Sequence, residues 1–440
     1  MPVFNQIRKS PWKTPLLWLV GFLVFAGFVI WNRDLYTFLQ FLTLGLPQGA
    51  IIALIAVGYS MVYGIIQLIN FAHGEIFMMS TYFALMLMVP TFGQNHMGLS
   101  VITAAVGFLA ACTAWVAFTG LLKKRAGRLI AAVAVGAGVA GLNWLLVPGT
   151  GESGLPFWVA ICIAIVYSCC LGVTMDLLAY KPLRNSPRLI PLITAIGISL
   201  FLQNFAQSIW GSAGRDFPVA QKPSFHPGHL FGDGPGIHLL NLTDRFGNPQ
   251  TLDTTWLDVT IILVTVALLV ALQSFIHFTR TGKAMRACAQ DRVTAGLMGI
   301  QTSRVVALAF VLGAALAAVA APLYVLRGTF LSPTMGYIVG ILAFASAVLG
   351  GIGNVTGAML GGMIIGIIYT FVPMFDTFNT FRIFEKMEQW GWVSQQGWND
   401  VVNSIGRPGQ YQLGVAYAFM ILIIVFKPTG LLGKSSARRA

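Results

Sequence analysis

Charged residues are scarce in this chain, making up 9% of its 440 residues, where soluble domains carry about 25%. With 56% hydrophobic residues, that scarcity excludes a soluble globular fold and predicts an integral membrane protein. Acidic residues are the rarer sign, 14 against 27 Lys and Arg. The net charge of +13 does not point to nucleic acid, because the basic residues are scattered through short linkers and no basic stripe joins exposed aromatics. Cysteine is also sparse. Cys112, Cys162, Cys169 and Cys170 fall inside apolar runs and Cys288 lies in a basic loop. An odd count without zinc-finger spacing predicts neither a disulfide framework nor a metal centre. A nucleophile elbow, an HExxH motif and a dinucleotide fingerprint are missing too. Residues 428–435 end like a phosphate-binding loop, but Pro428 stands where the leading glycine belongs and no strand precedes it. The chain is therefore expected to have no ATPase and no cofactor of its own.

What fills the chain is apolar sequence in twelve candidate spans: 15–31, 35–63, 76–90, 100–122, 129–147, 157–179, 189–210, 257–279, 304–326, 337–350, 355–373 and 411–426. The expectation is an all-α, polytopic fold of about 10–12 transmembrane helices. A full crossing needs about 20 residues, so 76–90 and the pair 337–350 and 355–373 are expected to be broken or re-entrant. The basic start (Arg8, Lys9, Lys13) before 16–31 resembles a signal peptide without a small-x-small cleavage site, and reads as an uncleaved first span.

Placing both termini in the cytoplasm puts nineteen of the 27 Lys and Arg inside, in the start to 14, 123–128, 180–188, 280–304 and 427–440. The other eight are outside: Arg33, Arg215, Lys222, Arg245, Arg327, Arg382, Lys386 and Arg407. That asymmetry is the positive-inside signature. Two long outside segments, 211–256 and 374–410, read as caps or partner surfaces, the second with an amphipathic run carrying Trp390, Trp392 and Trp398.

Three stretches carry chemistry. The first, Ile69-Asn70-Phe71-Ala72-His73-Gly74-Glu75, puts an amide, an imidazole and a carboxylate at the inner end of an apolar span. Charged groups at membrane depth are costly, about 2.5–3.5 kcal/mol on insertion scales. Asn70, His73 and Glu75 therefore either bond across to neighbouring helices or touch a passing solute at an inner gate. A metal site needs more ligands than His73 and Glu75 provide. A proton-coupled pump normally shows several intramembrane acids.

The second is the inside loop 280–304, with Gly282, Arg286, Ala287, Cys288, then Asp291 as an N-cap for a short helix, Arg292, and Gly299 as its stop. It reads as an interfacial anchor or as a docking helix for a cytoplasmic partner. The third is the glycine stretch 350–366. Gly353, Gly357, Gly361, and then Gly362 and Gly366, recur four apart, the spacing that lets helices approach closely. A break at Gly350 to Asn354 lining a pathway is the alternative reading.

Five blocks together resemble the LivH-type permeases of branched-chain amino acid ABC importers: 58–75, 180–204, 282–300, 346–366 and 425–433, with INFAHGE, LGGIG and KPTGLLG the most specific. The resemblance implies a permease subunit with no catalysis of its own that pairs with a second, LivM-like permease and two cytoplasmic ATPases. A periplasmic substrate-binding protein would deliver the solute, with the lipid bilayer as solvent and no nucleic acid involved. It makes 282–300 the segment coupled to the ATPase, and places the protein in a bacterial inner membrane.

Organisation then follows as 1–34, an extension with an extra helix; 35–99, the first core spans; 100–179, with inserted spans; and 180–279, core spans with the long outer loop. After these come 280–304, the coupling segment; 305–373, the glycine-rich core; 374–410, an outer insertion; and 411–440, the last span and basic tail. Asp176 and Gln290 stand where relatives often carry Glu. Urea or short amides are the alternative cargo. A stand-alone secondary transporter is the alternative class, and the scarcity of acids in the spans argues against it.

Overall fold

The computed structural model describes residues 13–68, 70–88, 96–117, 125–146, 157–184, 186–187, 189–216, 237–243, 248–328, 330–427 and 429–433. Ile69, Arg8 and Lys9 of the start, the basic residues of 434–440, and residues 217–236 lie outside them.

An apolar helix lies over each of the twelve expected spans. These are α1 (Lys13–Asn32), α2 (Leu35–Ile66), α3 (His73–Met88), α4 (His96–Ala117), α5 (Arg125–Leu146) and α6 (Phe157–Met175). A π turn (Asp176–Tyr180) extends α6, and α7 (Leu189–Trp210) and α8 (Trp256–Phe278) follow. Two short helices, α9 (Arg280–Gln290) and α10 (Arg292–Leu297), lead into α11 (Thr302–Gly328), α12 (Met335–Gly350) and α13 (Val355–Phe371). A 3₁₀ turn (Val372–Thr380), α14 (Arg382–Gln389) and α15 (Gln395–Ile405) precede the last span, α16 (Gln412–Phe426). Among the described residues, seven helical stretches are long and apolar enough to cross a bilayer. At 16 residues each, α3 and α12 are too short to do so. Strands are minor: β1 (Arg215–Asp216) pairs with β4 (Phe330–Leu331), and β2 (Ile237–Thr243) pairs antiparallel with β3 (Pro249–Thr254) between α7 and α8.

α2 is the axis of the bundle, buried on all sides from Gly49 to Val62. Helices reach it through glycine. A Cβ on Gly362 would run into the Ala53 backbone and one on Gly366 into Gly49, while on the other face Gly357 and Gly361 lie against Gly350 and the Ser346 carbonyl of α12. The four-residue spacing therefore serves two faces of α13, one toward α2 and one toward α12. Without a hydrophobic force between helices in lipid, such close approach supplies the dispersion contacts that hold them.

Each end of the bundle is tied by polar groups. At one end Arg327 of α11 donates to Asp258 of α8 (2.9 Å), to Gln48 of α2 (3.1 Å) and to the Leu44 carbonyl (2.7 Å). The other end carries Lys181, Arg184, Arg286, Arg292 and Lys427 and is called the basic end below. There the last carbonyls of α12 accept from the tail: Leu431 N–H to Leu349 O (2.8 Å) and Leu432 N–H to Gly350 O (3.0 Å). Helix C-termini leave such carbonyls without partners. The tail supplies them because Gly351 and Gly430, both with positive φ (102° and 74°), press backbone on backbone.

α1 and the segment after α13 share a second, smaller core. Phe371, Met374, Phe381 and Phe384 pack with Ala26, Val29 and Phe38, Ile383 N–H donates to Asn32 Oδ1 (3.1 Å), and Lys386 lies over the Trp31 ring. The N-terminal helix and the segment after α13, separate in the sequence, thus form one packed unit.

Three outcomes follow for the detergent-solubilised protein. Gly366→Val forces its side chain into the α2 backbone and is expected to destabilise by about 1–3 kcal/mol, the usual cost of overpacking. Gly138→Ala, which meets nothing within 4 Å, should leave the melting temperature unchanged or raise it. Truncation after Lys427 removes the donors to Leu349 and Gly350 and should lower the melting temperature. Thermal unfolding monitored by circular dichroism reads all three.

Candidate functional site

The chain leaves α2 at Ile66 through Gln67, which has φ 57° and is the one non-glycine residue with positive φ among the described residues. Its N–H closes back on Tyr63 O (2.7 Å). The following residues return alongside α2, since His73 lies against Gly58, eight residues before Ile66 and so about 12 Å deeper in the bundle at 1.5 Å per residue. α3 therefore begins inside the bundle. It runs to the end opposite the basic one, where Tyr82 stacks on Trp210, the last residue of α7 (centroids 4.6 Å). The first turn of α12 meets that of α3, with a Cβ on Gly74 colliding with the Gly336 carbonyl and Gly340 Cα. Two half-length helices thus bring their N-termini together in the interior. Non-helical backbone at membrane depth is tolerated only where protein buries it or a cavity adjoins it, and Asn70, Ala72 and His73 are buried.

The polar side chains of this segment find partners on other helices. Asn70 Oδ1 accepts from the Tyr180 hydroxyl in the π turn (2.7 Å). His73 packs its ring edge-on to Tyr59 (4.7 Å) in the gap left by Gly58 and Gly313. Glu75 is fully buried, and its Oε1 accepts from Ser199 Oγ and Gln203 Nε2, both at 2.8 Å. Ser199 is ten residues into α7, about 15 Å from its start. Three buried atoms have no hydrogen-bond partner: Asn70 Nδ2, His73 Nε2 and Glu75 Oε2. Glu75 Oε2 sits where a Cβ on Gly336 would come within 2.6 Å.

Beside this cluster is a cavity of about 450 Å³, lined by Tyr59, Phe71, Ile196, Ser199, Leu200, Gln203, Tyr337 and Ile341. It lies on the flank of the bundle, where Ile196 and Leu200 of α7 and Tyr337 of α12 are exposed.

The basic end holds the second group of residues. Thr279 caps α9, accepting from Gly282 N–H (2.9 Å), and Gly282 is buried in a corner where a Cβ would meet the Phe275 and Ile276 carbonyls. Ala287 is half-buried, and Arg286 is exposed with long contacts to His277 (3.4 Å). Asp291 caps α10, accepting from the Thr294 hydroxyl and from the N–H groups of Val293 (2.8 Å) and Thr294 (3.3 Å). Those bonds, the hydroxyl's first, hold its carboxyl below the usual range. Gly299, with φ 83°, ends the segment. Arg292 turns inward and donates to the Ile66 carbonyl at the end of α2. What faces outward is apolar: Val293, Leu297 and Met298 are 74%, 84% and 80% exposed.

The structure therefore brings Asn70, His73 and Glu75 to one place, and Arg292 of α10 reaches the Ile66 carbonyl at the end of the helix that precedes them. Asn354 is elsewhere. It caps α13, accepting from Gly357 N–H (3.3 Å), and donates to Leu432 O in the tail (2.8 Å). Gly353 lies against Gly64 and donates its N–H to Ser60 (3.1 Å). Ser199, Gln203, Tyr59 and Tyr180 escape a reading of the sequence. The only trace was a polar pair four apart on an apolar helix, Ser199 and Gln203, which share one face.

The chain matches the family model described as branched-chain amino acid transport system/permease component over residues 41–424. It is 32% identical over 406 residues to BraD of Pseudomonas aeruginosa, a high-affinity branched-chain amino acid transport system permease protein, covering 92% of this chain and 99% of that one. It is 33% identical over 405 residues to LivH of Escherichia coli, a permease protein of the same kind, covering 91% and 97%. A more distant likeness, 26% over 223 residues, covers 49% of this chain and 60% of the fructose import permease protein FruG of Bifidobacterium longum. No solved structure matches. Family match, relatives spanning the whole bundle and multi-pass helical fold agree, and the chain belongs to the branched-chain amino acid transport permease family.

Proposed function

We propose that this chain is a membrane permease subunit of an ATP-driven importer of branched-chain amino acids. Its basic end faces the cytoplasm of a bacterial inner membrane, with both termini on that side. It works beside a second, LivM-like permease and two cytoplasmic ATPases, and a periplasmic binding protein supplies the solute. The names of the relatives support the cargo.

The observation that carries the coupling is the contact from Arg292 to the Ile66 carbonyl. An exposed apolar tip made of Val293, Leu297 and Met298 offers an ATPase a surface that water leaves poorly covered. Arg286 flanks that tip, Asp291 fixes the fold of α10, and Gly282, Ala287 and Gly299 shape the corner and its exit. A push on the tip moves Arg292, and with it the end of α2 and the turn at Gln67. That displaces Asn70, His73 and Glu75 beside the cavity, which act as the inner gate. Asn354, with the glycines from Gly353 to Gly366, keeps α12 and α13 registered with α2 while this happens. The flank carrying the cavity, α7 with α12, faces the second permease, so that the pathway runs between the two subunits.

In the complex reconstituted into vesicles, leucine uptake should require ATP inside and persist in the presence of a protonophore. Uptake that collapses with the protonophore and ignores ATP would identify a secondary transporter instead. Leu297→Glu should cut ATP hydrolysis stimulated by the binding protein by about tenfold or more, the effect of a central interface residue. Arg292→Ala should leave the ATPases bound but lower uptake per ATP hydrolysed. Uptake per ATP equal to wild type would show that the Arg292 contact does not transmit the motion.

A further inference from the structure

Buried carboxylates in folded proteins are paired with a cation or a metal, because an uncompensated charge in an apolar setting is expensive. Glu75 breaks that rule. It is fully buried, it receives two neutral donors on one oxygen, and its other oxygen has none. Among the described residues no Lys, Arg or His pairs with it, and no cluster of metal ligands surrounds it. Its two donors, Ser199 and Gln203, are also the polar wall of the cavity. The carboxylate therefore stands directly behind an opening large enough for a small molecule, with its counter-charge missing.

We propose that the missing counter-charge is the α-ammonium group of an amino acid in transit. This rests on the importer reading above and adds the residues that recognise the cargo. Ser199 and Gln203 meet the ammonium group at the cavity wall, and Glu75 behind them supplies the negative charge. The aliphatic side chain lies against Phe71, Ile196, Leu200 and Ile341. The cavity, about 450 Å³, falls within the range of about 300–1,000 Å³ usual for small-molecule sites. The lining sets the polar groups of Ser199 and Gln203 and the hydroxyl-bearing Tyr59 and Tyr337 among Phe71, Ile196, Leu200 and Ile341, a mixture that suits both charged ends of a zwitterion and its branched aliphatic side chain. A sugar or urea, which carries polar groups all round and no cation, would leave hydroxyls or amides facing the apolar wall and Glu75 still unpaired.

The test uses the assembled transporter with the binding protein omitted, so that its selectivity plays no part. Leu200→Cys, in a chain whose own five cysteines are replaced by alanine, places a thiol on the apolar wall. Its rate of modification by a methanethiosulfonate reagent is measured with leucine, with 4-methylpentanoate, which lacks the amino group, and with fructose. Leucine is expected to protect at concentrations about tenfold or more below those of 4-methylpentanoate, the contribution of a charge-assisted hydrogen bond. Fructose should not protect. The preference for leucine should vanish in Glu75→Gln, which keeps the shape of the side chain and removes the charge.

Equal protection by leucine and 4-methylpentanoate, or none by leucine, overturns the proposal. A second measurement guards against a cysteine variant that fails to assemble. In the otherwise native chain, Glu75→Gln and Gln203→Leu should each lower leucine uptake by about tenfold in complexes recovered intact, and wild-type uptake from both overturns the proposal as well. Wild-type uptake that needs no ATP would instead be a failure of the importer reading, which these variants do not touch.

Discussion

Backbone inside a bilayer has no water to bond to, so every peptide group there must find a partner within the protein. Helices solve this for most of the chain. Gln67, Leu68 and Asn70 to Ala72 do not, because they are non-helical and the chain comes back into the bundle there. It survives there because other elements grip it: Arg292 takes the Ile66 carbonyl, Tyr180 takes Asn70, and the ring of His73 fills a gap between two glycines. Everything distinctive about the site follows from this. The half-length α3 begins at depth because the segment delivers it there, and Glu75 enters the interior in its first turn.

The glycines make that interior possible in a different way. A ring the size of imidazole fits beside α2 only because neither Gly58 nor Gly313 carries a side chain, and the N-termini of α3 and α12 cross only through Gly74, Gly336 and Gly340. On the other side of α2, Gly362 and Gly366 bring α13 into backbone contact. α2 is thus held rigidly along one face by α13 and left, on the other, with room for the polar segment. A stiff wall behind a segment gripped at few points allows movement to be confined to the segment. Its entrance is also the one described non-glycine residue in the left-handed conformation, a geometry that stores strain.

The helices were legible in the sequence because apolar runs of near-membrane length leave little ambiguity, and 76–90 and 337–350, expected to be broken or re-entrant, are too short to cross; 355–373, expected to be the same, is instead part of a helical stretch long enough to cross, because the helical turns after it extend it. The starts were less legible. The span placed from 76 begins at His73, since polar residues at depth read as loop when only hydropathy is followed. The residues of INFAHGE drew notice by being polar between two apolar spans. Ser199 and Gln203 did not, because a serine and a glutamine in a helix cost little and are common. Their importance comes from Glu75, 124 and 128 residues away in sequence. In the same way, nothing in α1 or in 374–410 reveals that each completes the other's small aromatic core. Such long-range pairing leaves no local pattern, whereas the cap at Asp291, made within three residues, can be read directly.

The tail strapped across α12 has a consequence for biogenesis. A ribosome releases the chain in order, and the carbonyls of Leu349 and Gly350 wait for donors on Leu431 and Leu432, some eighty residues later. Until Leu431 and Leu432 emerge, the last carbonyls of α12 lack these two donors. The finish of α12 at the basic end is therefore tied to residues made long after the helix itself.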